Sequence, residues 1–129
     1  MIYLASPYAH EDEAVREERH RAAEAHVAFL LQRSRWVFSP IVHCHELKKR
    51  HALPEGHEFW LTYDCHILAK ADELHVLQLE GWRSSKGIRM ELDFWLALRH
   101  ESQVRLVKAD TRLELIYETE LALLQMDLK

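Results

Sequence analysis

The sequence is poor in glycine, proline and cysteine, which occur three, three and two times in 129 residues. It shows no low-complexity tract, no internal repeat and no apolar run of membrane-spanning length. Because 48% of the residues are apolar, we expect one soluble domain with its own hydrophobic core. Cys44 and Cys65 form no CxxC pair, and we see no secretory signal, so we expect a reducing, cytoplasmic location.

Residues of like charge do not cluster along the sequence. The chain has 17 Lys and Arg and 21 Asp and Glu, which gives a net charge of −4. This balance disfavours a nucleic-acid polymer as a partner, because such binding needs clustered basic residues. Small anionic ligands stay possible, since a few arginines and helix N-termini can bind phosphate at any net charge. The glycine-rich signatures of dinucleotide folds, P-loops and nucleophile elbows are missing, which argues against those classes.

Short apolar runs alternate with longer stretches of helical periodicity. We predict strands at residues 2–5, 36–38, 73–79 and 104–107, and helices at residues 12–33, 59–71, 85–100 and 111–129. Residues 41–58 are expected to form a long, partly helical connection, and the segment 111–129 could instead start as a strand. This alternation predicts an α/β fold: a single-domain, Rossmann-like three-layer sandwich with a mainly parallel sheet of four to five strands.

In such a sheet, ligands bind beyond the carboxyl ends of the strands. Three predicted loops leave that edge, and they contain Ser6-Pro7-Tyr8, the stretch 39–43 and the stretch 80–91. Ser6, Tyr8 and His43 are therefore candidate substrate-binding residues.

The third loop leads into a helix that starts with Ser85-Lys86-Gly87 and carries Glu91 four residues past the glycine. The free amides at such a start, with the Ser85 hydroxyl, can bind an anion or a hydroxyl, and Glu91 can face the same ligand. The alternative is an ordinary capped helix with a solvated glutamate. Asp64 lies on the preceding helix, where an acidic residue can equally serve the helix dipole.

The histidine-rich stretch His43-Cys44-His45-Glu46 could be read as part of a metal site. No further ligand follows at a recognised spacing, so ordinary polar packing is the preferred interpretation. Of the tryptophans, Trp60 and Trp95 are expected in the core, whereas Trp82 in a loop could stack on a base.

Several of these segments together resemble the nucleoside 2-deoxyribosyltransferase-like superfamily, in particular a small branch of uncharacterised bacterial and phage proteins that is related to the deoxynucleoside 5′-monophosphate N-glycosidases. The resemblance spans about residues 1–108. The matching positions are residues 1–8, Val15-Arg16 with Arg19, residues 37–41 with His43 and His45, Phe59-Trp60, Asp64, residues 72–74, Gly81-Trp82, Ser85-Lys86-Gly87 and Glu91.

The resemblance implies a flavodoxin-like or Rossmann-like fold and cleavage of an N-glycosidic bond in a nucleoside or its 5′-monophosphate, with the sugar passed to another base or to water. It implies that Glu91 is the nucleophile, that Asp64 is the acid assisting base departure, and that Tyr3 positions the nucleophile. Ser85 and Gly87 would hold the 5′ end of the sugar. The reaction fits general chemistry, because a carboxylate beneath C1′ stabilises or captures the developing sugar cation.

The first loop departs from the pattern, because Ser6-Pro7-Tyr8 replaces the Gly-Ser type of the monophosphate hydrolases, and residues past 108 are unmatched. Arg16, Arg19 and Arg83 are possible phosphate partners. The resemblance implies a small-molecule substrate and a homodimer or larger homo-oligomer. We expect no cofactor, no metal, no nucleic-acid polymer and no membrane partner.

Two alternatives stay open at this point. One is a nucleotide-sensing module that keeps the pocket without turnover. The other, which we consider less favoured, is a metal-dependent hydrolase that uses His43, His45 and Asp64.

Overall fold

A computed structural model describes residues 1–54, 56–98, 104–109 and 115–118. Within these residues, five strands form one sheet: β1 (Ile2–Ala5), β2 (Val37–Phe38), β3 (Glu73–Leu77), β4 (Val104–Ala109) and β5 (Leu115–Glu118). The same part of the chain forms four α-helices: α1 (Glu13–Leu31), α2 (Pro40–Arg50), α3 (His57–Leu68) and α4 (Lys86–Leu98). The strand order is β2-β1-β3-β4-β5, in which the first four strands are parallel and β5 is antiparallel to β4.

The sheet is covered on both faces, as expected for a parallel sheet. Alternate residues of β1 divide between the two sides: Tyr3 and Ala5 belong to the core cluster that contains α3 and α4 side chains, such as Leu68 and Trp95. Ile2 and Leu4 pack on the other side, where Phe29 and Leu30 of α1 join Ile2. The predicted three-layer α/β sandwich is thereby confirmed.

Three helices near the carboxyl edge of the sheet begin with a side-chain cap. Asp12 accepts a hydrogen bond from the Ala14 amide at the start of α1, and Ser39 accepts one from Val42 at the start of α2. Ser85 accepts one from Ile88 at the start of α4. Each cap satisfies an amide that the helix itself leaves without a partner, so the local sequence determines where each helix starts.

The expected partly helical connection 41–58 is confirmed. It contains most of the eleven-residue helix α2, which starts where Ser39-Pro40 provides a cap and a first helical residue just after β2. Helix α3 then starts at His57, and it ends at Leu68 rather than at Ala71. Within the described residues, no helix has both the length and the apolar character to cross a membrane.

The predicted C-terminal helix is wrong for Leu115–Glu118, which form β5. The physical reason is the ladder offered by β4: Val107 pairs with Tyr117 and Ala109 with Leu115 in antiparallel register. The remainder of the predicted helix, residues 111–114 and 119–129, lies outside the described residues.

Candidate active site

A cavity of about 850 Å³ lies at the carboxyl edge of the sheet. Its wall combines the loop after β1, one face of α1, the face of α2 that follows β2, the middle of α3 and the first turns of α4. Of the predicted site residues, the wall includes Ser6, Tyr8, Arg19, Asp64, Ser85, Gly87 and Glu91. The edge chosen from the sequence is therefore the edge that carries the cavity.

Tyr3 and Glu91 form the innermost contact of the site. The Tyr3 side chain is fully buried on β1, and its hydroxyl donates a hydrogen bond to Glu91 Oε2. Glu91 shares the buried face of α4 with Ile88, Leu92 and Trp95, because residues three and four apart on a helix lie on one side. The helix thus places a carboxyl group in the core-facing row, at the point where that row meets the cavity.

Burial raises the pKa of Glu91 to about 8. The hydrogen bond from Tyr3 favours the carboxylate and opposes this rise, whereas the nearby negative charge of Asp64 adds to it. Burial, together with the charge of Glu91, also raises the pKa of Tyr3, so Tyr3 keeps its proton and acts as a donor.

Asp64 lies on α3 with most of its side chain withdrawn from solvent. Its Oδ1 is buried and has no hydrogen-bond partner among the described residues. Burial raises the pKa of this carboxyl to about 7, and the positive charge of Lys48 opposes the shift. The cavity therefore contains two carboxyl groups that each lose their proton near neutral pH rather than near pH 4.

The start of α4 lies beside these groups. Ser85 caps the helix, and a Cβ placed on Gly87 would meet Ser85 Oγ at 3.8 Å, an ordinary contact. Packing within the chain therefore leaves room for a larger residue at Gly87. Gly87 therefore lies on the cavity wall without a side chain between the backbone of the first turn and the cavity.

Arg19 connects two loops of the cavity wall. Its Nη1 donates to the Ala9 carbonyl oxygen at 3.0 Å, and its Nη2 donates to the Glu80 carbonyl oxygen at 3.1 Å. Gly81 lies against it with φ of +88°, and a Cβ there would be 2.8 Å from Arg19 Nη2. Arg16 similarly donates to the His10 carbonyl oxygen. Both arginines, which the sequence offered for phosphate binding, shape the loops of the cavity.

Two predicted substrate-binding residues are not brought to this wall. His43 Nε2 lies 2.8 Å from the Tyr63 hydroxyl, and its ring stacks on that of Tyr63. Trp82 packs in the core cluster, with the Arg83 guanidinium 4.7 Å from its ring centroid. His43 is thus exposed on α2 and Trp82 is buried, and each ring has an aromatic, apolar or cationic neighbour within the protein instead of facing the cavity.

The sequence interpretation missed a chain of polar contacts at the other side of the cavity. The Tyr8 hydroxyl lies 2.6 Å from Nδ1 of His45, whose Nε2 lies 2.9 Å from Glu17 Oε2, and Lys49 pairs with the other oxygen of Glu17. One feature of the sequence could have revealed this chain of contacts: His45 and Lys49 are four residues apart. If residues 40–50 are predicted to be a helix, the two side chains lie on one face of it.

The sequence interpretation also missed Lys48, which lies on the same helix, α2. Its Nζ lies 5.6 Å from the centroid of the Tyr8 ring and 5.5 Å from that of the Trp60 ring, so two aromatic rings flank one ammonium group. Trp60, expected in the core, lies on the cavity wall.

The predicted metal trio of His43, His45 and Asp64 is not assembled. Within the described ranges, the group of three potential ligands that does come together is Glu17, His20 and His45. There the Lys49 ammonium already neutralises the Glu17 carboxylate, and the His45 ring nitrogens contact Tyr8 and Glu17.

A search of curated proteins finds no match, whereas a family model described as "Domain of unknown function (DUF1937)" matches residues 1–108. This match extends from β1 nearly to the end of β4 and includes every residue of the cavity wall. The chain therefore belongs to the DUF1937 family.

Proposed function

We propose that this protein cleaves the N-glycosidic bond of a nucleoside or a nucleoside 5′-monophosphate, as a glycosidase or a deoxyribosyltransferase, with Glu91 as nucleophile. The observation that carries the proposal is the buried Glu91 carboxyl, oriented by the Tyr3 hydroxyl and opening on a cavity that also contains Asp64. The likeness of the sequence to the nucleoside 2-deoxyribosyltransferase-like superfamily supports the same assignment.

The two carboxyl groups suit the two halves of the reaction. A Glu91 oxygen forms a bond to C1′ while the bond from C1′ to the base nitrogen breaks, and the bonding electrons stay on the base. Asp64 gives its proton to the departing base. Water or a second base then attacks C1′ and releases Glu91, and the Asp64 carboxylate takes up the proton of the attacking molecule.

The raised pKa values keep one proton on the pair of carboxyl groups between about pH 7 and 8, and because the pKa of Glu91 is the higher of the two, the form that reacts, with that proton on Asp64, is the minor one. Asp64 must be protonated when the base leaves, and a pKa raised to about 7 keeps part of it so at neutral pH. Glu91 must be ionised, and the positive charge that develops at C1′ favours its carboxylate. The Tyr3 hydrogen bond favours the same form and holds the carboxylate in one orientation, which lowers the entropic cost of reaction.

Size and lining also support a nucleoside-sized ligand. A volume of about 850 Å³ lies within the usual range of small-molecule sites, and the aromatic rings of Tyr8 and Trp60 offer flat surfaces to a base. The start of α4 at Ser85 and Gly87, which lies on the cavity wall, suits a hydroxyl or phosphate at the 5′ end of the sugar.

The superfamily resemblance extends the proposal to assembly and location. We propose a homodimer or larger homo-oligomer, which the exposed apolar side chains of Phe59 and Met90, on the two helices beside the cavity, would favour. We place the enzyme in the cytoplasm, where the free thiols of Cys44 and Cys65 would stay reduced.

The direct test is a chromatographic assay for free base with a panel of nucleosides and their 5′-monophosphates. We expect at least one substrate to release its base, and Glu91→Ala to reduce the rate at least 100-fold. Asp93→Asn, which removes an exposed carboxylate on the same helix, is the matched control and keeps the rate. Base release from none of the panel, or full activity in Glu91→Ala, contradicts the proposal. Saturable binding without release would indicate a sensing module instead.

A further inference from the structure

Lys48 is a cation of the cavity wall that the proposed reaction leaves unused. It lies on α2, and its Nζ is 5.6 Å from the centroid of the Tyr8 ring and 5.5 Å from that of the Trp60 ring. Both rings are themselves held in place. The Tyr8 hydroxyl lies 2.6 Å from His45 Nδ1, and Trp60 Nε1 donates to a backbone oxygen, that of Pro54, at 2.6 Å. The ammonium group is therefore attracted to a defined point of the wall.

The ammonium group of Lys48 is not used by the protein as other cations of the wall are. Arg19 donates to two backbone carbonyl oxygens, and Lys49 pairs with Glu17. Within the described residues, Lys48 Nζ lies against the two rings but forms no hydrogen bond and no ion pair. Its charge opposes the rise in the pKa of Asp64, yet burial still raises that pKa to about 7. The three N–H donors of Lys48 can therefore meet an acceptor on a ligand in the cavity.

Lys48 lies on the side of the cavity where the base is expected. Trp60, which flanks it, is four residues from Asp64, so these two side chains share one face of α3. Asp64 is the proposed proton donor to the base. The 5′ end of the sugar is expected instead at the start of α4, where the wall contains a different lysine, Lys86. A base that leaves beside Asp64 therefore has its edge near Lys48.

We infer that Lys48 donates a hydrogen bond to an exocyclic oxygen of the departing base, so that the site prefers oxo bases such as hypoxanthine to amino bases such as adenine. This inference rests on the proposed function, which supplies the base and its position beside Asp64. A 6-oxopurine presents two acceptors, N7 and O6, on one edge, whereas adenine presents N7 and an amino donor. Asp64 then gives its proton to N7, and Lys48 contacts O6 without transferring a proton.

The same contact assists the reaction. The electrons of the broken bond stay on the base and spread to its exocyclic oxygen, where a fixed positive charge stabilises the transition state more than the ground state. An amino group at that position presents N–H groups to the ammonium of Lys48, so two donors face each other without an acceptor. Removing the charge should therefore slow the cleavage of oxo nucleosides more than that of amino nucleosides.

The first experiment compares two ratios of kcat/KM, that of deoxyinosine to deoxyadenosine and that of deoxyuridine to deoxycytidine. Lys48→Met keeps an unbranched side chain and removes the ammonium group. We expect it to lower the ratio of the pair that is cleaved about tenfold to 100-fold, the effect of one hydrogen bond to a charged group. A loss of correctly folded enzyme cancels in each ratio. Lys70→Met, at an exposed lysine just beyond α3, is the control and keeps the wild-type ratios.

The second experiment needs no turnover. Calorimetry measures the binding of free hypoxanthine and of free adenine to the intact wild type, to Lys48→Met and to Lys70→Met. We expect the wild type and the control to bind hypoxanthine more tightly than adenine, and Lys48→Met to lose at least a tenfold share of that preference.

Unchanged kcat/KM ratios in Lys48→Met overturn the inference while the proposed function stands. An equal loss for oxo and amino bases that is larger for 5′-monophosphates than for nucleosides also overturns it, because Lys48 would then bind phosphate. If no nucleoside is cleaved, the proposed function fails, and calorimetry decides about Lys48. In that case, binding of neither base, or the same preference in Lys48→Met as in the wild type, overturns the inference.

Discussion

Tyr3 and Glu91 are 88 positions apart in the chain, and the hydroxyl of one donates to the carboxyl of the other inside the core. The contact joins β1 to α4, the helix that follows β3. Strands β1 and β3 are themselves paired over Ile2–Ala5. A hydrogen bond in this position orients the carboxyl group and shifts its titration. The reactivity proposed for Glu91 depends on that contact.

Replacing Tyr3 by Phe removes the hydroxyl and leaves a ring that fills the same space. Because the hydroxyl favours the Glu91 carboxylate, the pKa of Glu91 rises further, and we expect kcat/KM at pH 7 to fall about tenfold to 100-fold, the effect of a hydrogen bond to a charged group. Tyr63→Phe, which removes a hydroxyl outside the cavity, is the control. Steady-state assays over pH 6–9 measure both, and equal rates in the two variants would contradict the assigned role.

The pH dependence of the wild type should be bell-shaped. The pKa values of Asp64, about 7, and of Glu91, about 8, mean that the pair holds one proton between these limits, and the reaction requires that single proton. We expect kcat/KM to be highest between pH 7 and 8. Asp64→Asn should lower the rate about 100-fold or more and abolish the alkaline limb, because the acid is then absent. An unchanged alkaline limb in that variant would reject Asp64 as the proton donor.

Glu91 should also reduce the stability of the fold at high pH. Its pKa is raised from 4.5 to about 8, so the folded protein keeps a proton that the unfolded chain loses. The free energy of unfolding therefore decreases as pH rises from about 4.5 to 8. Glu91→Gln removes this titration, and we expect the variant to gain stability relative to the wild type between pH 5 and 9, by at most about 4 kcal/mol.

Urea unfolding of the wild type and of Glu91→Gln, at pH 5 and at pH 9, tests the expected effect of Glu91 on stability. The difference between pH values is the informative quantity, because the amide of Glu91→Gln leaves its own N–H groups without a guaranteed acceptor at either pH. A stability difference that does not change with pH would show that Glu91 titrates normally in the folded state.

Gly81 is required by its backbone conformation, and it also lies against Arg19. At φ of +88°, a side chain is strained, and a Cβ would lie 2.8 Å from Arg19 Nη2. We expect Gly81→Ala to lower the free energy of unfolding by about 1–2 kcal/mol and to weaken ligand binding, because Arg19 holds the loops after β1 and β3 together.

Gly56→Ala is the matched control for this change. Gly56 has φ of −69°, and no atom of the described residues lies within 4 Å of an added Cβ. We expect this variant to unfold at the same denaturant concentration as the wild type or slightly above it. An equal loss of stability in the two variants would mean that neither the positive φ of Gly81 nor its contact with Arg19 affects stability.

The sequence predicts the sheet and its edge well, because buried parallel strands leave short apolar runs and a cap such as Ser85 marks the start of a helix. The Ser39 cap is not predicted, because Ser39-Pro40 is interpreted as the end of a strand followed by a loop. Glu91 is also visible in sequence, since it interrupts an apolar row at residues 88, 92 and 95. The contact of Glu91 with Tyr3 is harder to predict from the residues alone, because two residues 88 positions apart meet only if the strand order brings them together.

The side chains that the sequence did not assign depend on contacts between elements. Arg19 carries the charge that would suit a phosphate ligand, yet its guanidinium is used by two backbone carbonyls. His43 and His45 look equivalent in sequence, but a helix turns them apart, so that one meets Tyr63 and the other Tyr8. Leu115–Glu118 likewise form a strand because they pair with β4 at the edge of the sheet, which the sequence of the segment itself does not show.

The most direct test of the central claim is to look for the sugar on Glu91. A nucleoside with fluorine at C2′ slows release of the sugar ester, because fluorine disfavours the cationic transition state. After incubation and digestion, mass spectrometry should show one sugar residue added to the peptide that contains Glu91, and no such adduct in Glu91→Gln. Release of the base by the wild type with no adduct, or with the adduct on another residue, would contradict the assignment of Glu91 as nucleophile.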